Sequence, residues 1–265
     1  MRYFLKLAYN GLSYCGWQRQ PNAMGVQQVI EEALSTLLRC PTSIVGAGRT
    51  DAGVHAACMY AHFDTDKPID TPATFMRSLN HLCGSQIAVY ELIPVAEDAH
   101  ARFDAVVRTY KYYICEGKTP FMYPYCWQMS ARLDYEAMNQ AAQLLLDVDD
   151  FTSFAKLHSD AKTNICKVTE AHWEAVNAGV HSTRNLPVRS SESDGHRFYA
   201  FTITADRFLR NMVRAVVGTL VEVGRGKLDI EGFSRIIKAK DRCAAGTSVP
   251  AQGLFLYDIK YPYIN

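Results

Sequence analysis

Apolar and polar residues alternate through residues 2–9, RYFLKLAY, with Tyr3, Leu5, Leu7 and Tyr9 on one face. A period of two predicts a strand. The period changes over residues 26–38. There Val26, Val29, Ile30, Ala33, Leu34, Leu37 and Leu38 recur at helical spacing, between Gly25 and Pro41. That pattern predicts an amphipathic helix. A strand is expected from about Ser43, and residues 57–64 alternate again. Thr71-Pro72 opens a second helix, with Phe75, Met76 and Leu79 inward. Residues 87–92 read as a strand. Residues 108–115 do too, with Tyr110, Tyr112 and Ile114 on one face. A helix is expected at 134–146, with Asp134 as its N-cap. A strand near 167–176, a polar, turn-rich loop at 177–197 and a strand at 198–204 follow. Arg207 to Val223 reads as one long helix ended by Gly224. Asp229 caps another helix, to about Lys240, and a strand at 254–261 closes the pattern.

The order strand, helix, strand, strand, helix, strand thus occurs roughly twice. It predicts an α+β protein of two ferredoxin-like (RRM-like) halves, residues 1–105 and 106–265. With 265 residues, 48% of them hydrophobic, either half can bury a core. No run of about eighteen apolar residues is present, so no membrane span is expected. The first residues lack the apolar block of a signal peptide, and a cytoplasmic location is expected. Eight cysteines occur without a C-x-x-C pair. They read as reduced and structural, with no zinc site. A net charge of +1 gives no bulk attraction to a polyanion, so a nucleic-acid partner would need a local basic face.

The stretch carrying most chemical information is GAGRTDAGVHA, Gly46 to Ala56. Three glycines surround Arg49 and Asp51. A phosphate-binding loop would end in Gly-Lys-Ser/Thr, whereas this one continues Gly-Arg-Thr-Asp. A dinucleotide fingerprint would open a helix, whereas the next residues alternate like a strand. An acid among phosphate-cradling amides would also repel the ligand. Two readings remain on the residues alone. Asp51 caps a turn beside a solvated Arg49, or Asp51 and His55 are two ligands of a hydrolytic metal.

The loop resembles the G-R-T-D-A-G-V-H signature of the TruA-type tRNA pseudouridine synthases. Further segments resemble that family in order: YNGLSYCGWQRQ at 9–20, HARFDAVVRTYKYYI at 100–114, DFTSF at 150–154 and FLRNMVRAVVGTLVEVG at 208–224. The resemblance implies that the two antiparallel sheets join into one central mixed sheet flanked by helices and loops. It also implies isomerisation of uridine to pseudouridine at positions 38, 39 and 40 of the tRNA anticodon stem-loop. No cofactor or metal is implied, and a homodimer is. Asp51 matches the family's nucleophile. Arg49 matches the residue that fills the gap left by the flipped base. Tyr110 matches the tyrosine that stacks on the uracil. Arg214 matches the arginine that keeps the nucleophile ionised. On the expected long helix, Arg207 and Arg210 line up with Arg214, the first two toward RNA.

Arg102 belongs to the Ala-Arg-Phe segment that contacts tRNA in the family. Arg19, Arg108, Lys111 and Lys118 are further candidates for phosphate contacts. Arg184, Arg189 and Arg197, in or beside the 177–197 loop, contact RNA or keep the loop soluble. The loop glycines read as clearance for a flipped nucleotide. Two departures from the family are visible: Cys83 where proline is usual, and a longer loop at 177–197. A catalytically silent RNA-binding module on the same fold, and a metal-dependent hydrolase using Asp51 and His55, are the rival readings.

Overall fold

The computed structural model describes residues 1–156, 162–176 and 197–264. The loop expected at 177–197 lies outside the described residues, except for Arg197. The chain divides into two compact units. One comprises Met1–Arg108 and the closing stretch from Phe255; the other is Thr109–Leu254.

The first unit begins with β1 (Arg2–Tyr9) and α1 (Val26–Leu38), continues through β2 (Val45–Gly46) and β3 (His55–Asp64), and reaches α2 (Pro72–Cys83) and β4 (Ile87–Val95). The last strand of the chain, β9 (Leu254–Lys260), runs parallel beside β3, pairing His55 with Phe255 and Ala56 with Leu256. The strand order is β4-β1-β3-β9, with β2 on β3. β1 is antiparallel to both its neighbours. Its central place buries both faces. Leu5 and Leu7 are buried, and so is Phe4 on the opposite side. Helix α1 buries Val26, Ile30, Ala33 and Leu34, and ends where Arg39 turns left-handed at φ 57°.

β2 is far shorter than the strand expected from Ser43. The backbone before it pairs with α1 side chains instead. Ser35 Oγ accepts from Thr42 N–H at 2.9 Å, and Glu31 Oε1 accepts from Ile44 N–H at 3.1 Å.

The second unit contains β5 (Val107–Glu116), β6 (Trp127–Met129), α3 (Tyr135–Gln143), β7 (Val168–Val176), β8 (Arg197–Ala205), α4 (Met212–Gly224) and α5 (Ile230–Ala239). Its strand order is β5-β8-β7. β6, which the alternation did not reveal, pairs in parallel with the end of β5. Asp134 caps α3 by accepting from Ala137 N–H at 3.0 Å. The helix stops at Gln143, and Leu144–Asp147 tighten into a 3-10 turn. Asp229 caps α5 through Gly232 N–H.

The helix expected from Arg207 begins only at Met212. Asn211, at φ 66°, is left-handed and breaks any earlier helix. The residues before it have other partners. Asp206 Oδ1 accepts from the N–H of both Lys167 and Arg207, at 2.8 and 2.7 Å. The Arg210 carbonyl accepts from Lys156 N–H at 3.1 Å. Arg207 and Arg210 therefore precede the helix that carries Arg214. Within α4 nearly every residue is buried, as a helix apolar on all sides must be.

Each unit covers an outer strand with an asparagine. In the first, Asn80 of α2 accepts from Val89 N–H at 2.7 Å and donates to Val89 O at 2.9 Å. In the second, Asn139 of α3 does the same to Trp173 of β7, at 2.6 and 3.0 Å. A carboxamide offers one donor and one acceptor, matching a peptide unit left unpaired at a sheet edge.

No disulfide joins the eight cysteines. Burial pushes the thiols of Cys58, Cys83 and Cys166 up to about 11, where they stay protonated and inert. Cys83, the departure from the usual proline, closes α2 as a buried side chain before Gly84 at φ 70°. Among the described residues no helix is long and apolar enough to cross a membrane.

Candidate active site

In the first unit, the loop bearing Asp51 leaves β2 and returns into β3. One root is fixed by Ala47 N–H, which donates to Tyr60 O at 2.8 Å. The other is closed by a turn in which Val54 N–H donates to Asp51 O at 3.1 Å. The loop at 9–20 lies directly against it. Trp17 N–H donates to Thr50 O at 3.2 Å, and Gly53 N–H to Tyr14 O at 3.3 Å. The hydroxyls of Tyr9 and Thr50, both buried, pair at 2.8 Å. So two segments that resemble family motifs form one interlocked structure. Asp51 emerges from it half-buried, between a buried Thr50 and an exposed Ala52. Arg49 is exposed.

Gly46 of the Asp51 loop and Gly16 of the facing loop answer to this packing. Gly16, at φ 89°, lets the two backbones touch: a Cβ there would lie 2.3 Å from Thr50 O. At Gly46 a Cβ would run into the Trp17 indole at 2.4 Å. Gly48 alone among these three faces open space, with nothing within 4 Å.

His55, named in the metal alternative, is buried, and its Nδ1 accepts from Gly11 N–H at 3.2 Å. Its ring stacks on Phe255, with centroids 4.5 Å apart. Those contacts make it a support for the 9–20 loop and commit one ring nitrogen to a backbone donor.

The Ala-Arg-Phe segment is a short exposed tip on a heavily tied base. Arg102 and Phe103 are exposed, with the guanidinium 5.7 Å from the Phe103 ring centre. Beneath them, Asp104 accepts from His100 N–H at 2.7 Å and from Tyr263 O–H at 2.7 Å. His62 Nδ1 accepts from Ala101 N–H at 3.1 Å. Burial, with smaller contributions from Arg2 and His100, pushes the His62 imidazole down to about 4, so it stays neutral and able to accept. Arg108 is unlike a surface cation. Its Nη1 donates to Ala105 O at 3.0 Å, and its Nη2 to Arg102 O at 2.7 Å and Ala47 O at 3.2 Å. Arg19 places Nη1 3.5 Å from Glu31 of α1, a weak tie on the exposed side of the 9–20 loop.

In the second unit, Tyr110 is half-buried on β5, edge-on to Phe208 at 5.0 Å. Tyr112 is fully buried and donates its O–H to Pro250 O at 2.9 Å. The two tyrosines thus divide between an accessible ring and a core ring. Arg214, in the first turn of α4, donates from Nε to Val249 O at 2.7 Å, and its own carbonyl accepts from Val249 N–H at 3.2 Å.

The segment around Val249 is one the sequence did not single out. Arg242 donates to Gly246 O at 3.1 Å and to Ser248 Oγ at 3.0 Å, and Thr219 Oγ1 accepts from Gly246 N–H at 3.0 Å. These side chains strap the segment over α4 and so fix the stem of Arg214. Gly246 and Gly253 beside it were the visible signal.

Arg210 is exposed and Arg207 half-buried. Lys111 pairs with Glu174 at 3.3 Å. Lys118 is exposed at an open cavity of about 430 Å³, lined also by Pro120, Tyr123 and Gln128. The DFTSF segment is structural. Phe151 and Phe154 are fully buried, and Ser153 Oγ donates to Ile236 O at 2.6 Å, holding α5.

A profile described as tRNA pseudouridine synthase matches residues 141–262. A tRNA pseudouridine synthase A of Parabacteroides distasonis is 54% identical over 261 residues, covering 98% of this chain and 96% of that protein. The protein of the same name from Porphyromonas gingivalis is 52% identical, over 98% of this chain and 97% of its own length. One from Syntrophotalea carbinolica is 38% identical, over 97% and 95%. Matches at this identity cover 97–98% of the chain and so span both units, and the chain belongs to the tRNA pseudouridine synthase family.

Proposed function

We propose that this protein isomerises uridine to pseudouridine at positions 38, 39 and 40 of the tRNA anticodon stem-loop, with Asp51 as nucleophile. The observation that supports this reading best is the interlocked loop. It presents a half-buried carboxylate on a backbone fixed at both roots and braced by a second loop. A nucleophile so held spends little entropy in reaching a reactive geometry.

The reaction needs no group from outside the protein. The Asp51 carboxylate adds to the bound nucleotide, at C6 of the base or C1′ of the ribose. The N1–C1′ bond breaks, the base turns, and C5 bonds to C1′. The proton on C5 is lost to water and N1 gains one, while Asp51 leaves unchanged. The uridine must first leave its stack, at a cost of a few kcal/mol. Arg49, exposed beside Asp51, fills the vacated space, and Tyr110 offers the accessible ring face for the uracil. Arg214 is assigned to keep Asp51 ionised; the strap around Val249 supports that role by orienting the arginine's stem. Arg19, Arg102, Lys118, Arg207 and Arg210 supply phosphate contacts, and a cytoplasmic homodimer is the acting form.

The test is release of tritium from tRNA labelled at uracil C5, followed by mapping of the modified positions. Wild-type protein is expected to release label from positions 38–40. Asp51→Asn is expected to bind tRNA and release none. A wild-type protein that binds tRNA without release supports the silent RNA-binding reading, and near-normal turnover by Asp51→Asn removes Asp51 as nucleophile.

A further inference from the structure

The three carbonyls that Arg108 holds belong to two different functional segments. Ala47 lies four residues before Asp51, at the root of its loop. Arg102 and Ala105 belong to the exposed Arg102–Phe103 tip and its base. The N–H of Ala47 is fixed by Tyr60 O, and its carbonyl, which belongs to the next peptide, accepts from Arg108 Nη2 at 3.2 Å, so the chain is held on both sides of this residue. The same nitrogen lies 2.7 Å from Arg102 O, and Nη1 lies 3.0 Å from Ala105 O. A planar guanidinium directs its donors rigidly, so three carbonyls on one head are held at a fixed mutual spacing.

We infer that Arg108 is a positioning residue for the isomerisation, setting the distance between the RNA-contacting tip at Arg102 and the loop that carries Asp51, instead of itself neutralising a phosphate. This rests on the reading of Asp51 as nucleophile. The tip fixes where the RNA backbone lies, and the loop fixes where the carboxylate lies. Their separation decides whether a bound uridine meets Asp51. Loss of the tie leaves binding intact and displaces the nucleophile. A displacement of about 1 Å costs roughly 100-fold in rate.

The experiment compares Arg108→Met and Arg108→Lys with wild type and Asp51→Asn. It measures single-turnover tritium release, tRNA affinity at several salt concentrations and thermal melting. The expected result for Arg108→Met is a rate lowered roughly 10- to 100-fold. Affinity should stay within about twofold, and the slope of log Kd against log salt should be unchanged. Arg108→Lys should not restore the rate, because a single ammonium nitrogen cannot replace the two guanidinium nitrogens that hold these carbonyls, whereas it would serve a phosphate nearly as well. A reduced salt slope with an unchanged rate, or rescue by Arg108→Lys, overturns the proposal. Failure of Arg108→Met to fold also overturns it, since the arginine would then be a general support. If instead wild type is inactive, or Asp51→Asn is active, it is the nucleophile reading that has failed.

Discussion

A single methyl group at Gly16 separates the packing argument from the chemical one. In Gly16→Ala the backbone must keep φ 89°, a conformation that costs an L-residue about 1–2 kcal/mol. The new Cβ would sit 2.3 Å from Thr50 O and 3.1 Å from the Asp51 carbonyl carbon. Both are backbone atoms, so no side chain can swing aside. Restoring ordinary contact requires the two loops to part by about 1 Å, and overpacking of this kind costs about 1–3 kcal/mol. The combined loss is about 2–5 kcal/mol, or about 4–10 °C in melting temperature for a chain of this size. The same movement carries Asp51 with it, because Thr50 and Asp51 are adjacent. Single-turnover tritium release should therefore fall by roughly 100-fold below the melting temperature, with tRNA affinity little changed. Thermal melting, filter binding and tritium release on one preparation check all three. Wild-type melting together with wild-type turnover would refute the claim that the 9–20 loop braces the nucleophile.

Two further outcomes follow from the same geometry. Gly48→Ala meets nothing within 4 Å, so its melting temperature should match wild type; if that glycine serves RNA clearance, tRNA affinity alone drops, and an unchanged affinity removes clearance as its role. His62 titrates at about 4 in the folded protein, against an ordinary value of 6.5. Between those values the unfolded chain binds the extra proton, so the contribution is full above pH 6.5 and is lost as pH falls toward 4. It amounts to about 2–3 kcal/mol, and the difference in stability between wild type and His62→Asn, from denaturant melts at pH 7 and pH 4.5, should shrink accordingly.

The residues that could be read directly are those whose role is local. β1, α1 and α2 start where the change of period, or Pro72, places them, and α1 stops before Pro41. Asp134 and Asp229 are N-caps because their partners are three residues on. The motif around Asp51 was legible through its resemblance to a family signature, its residue types alone leaving a turn cap and a metal ligand open. What misled was local pattern without its tertiary partners. Arg207 to Val223 has a helical look throughout, but Asp206 and Lys156 claim the backbone before Met212. Ser43 looked like a strand, but Glu31 and Ser35 claim its neighbours.

Arg108 shows the division most clearly. By itself it is a cation on an amphipathic strand, indistinguishable from Lys111. Its partners include Ala47, 61 residues away, and no periodicity encodes them. The sequence determined the α+β class, most of the elements and the family, because those depend on short-range periodicity, capping and residue identity. Only the tertiary structure decided which glycines are contacts, which arginine is a tie, and which tyrosine remains accessible. Each of those depends on backbone carbonyls and side chains brought together by the folding of distant segments.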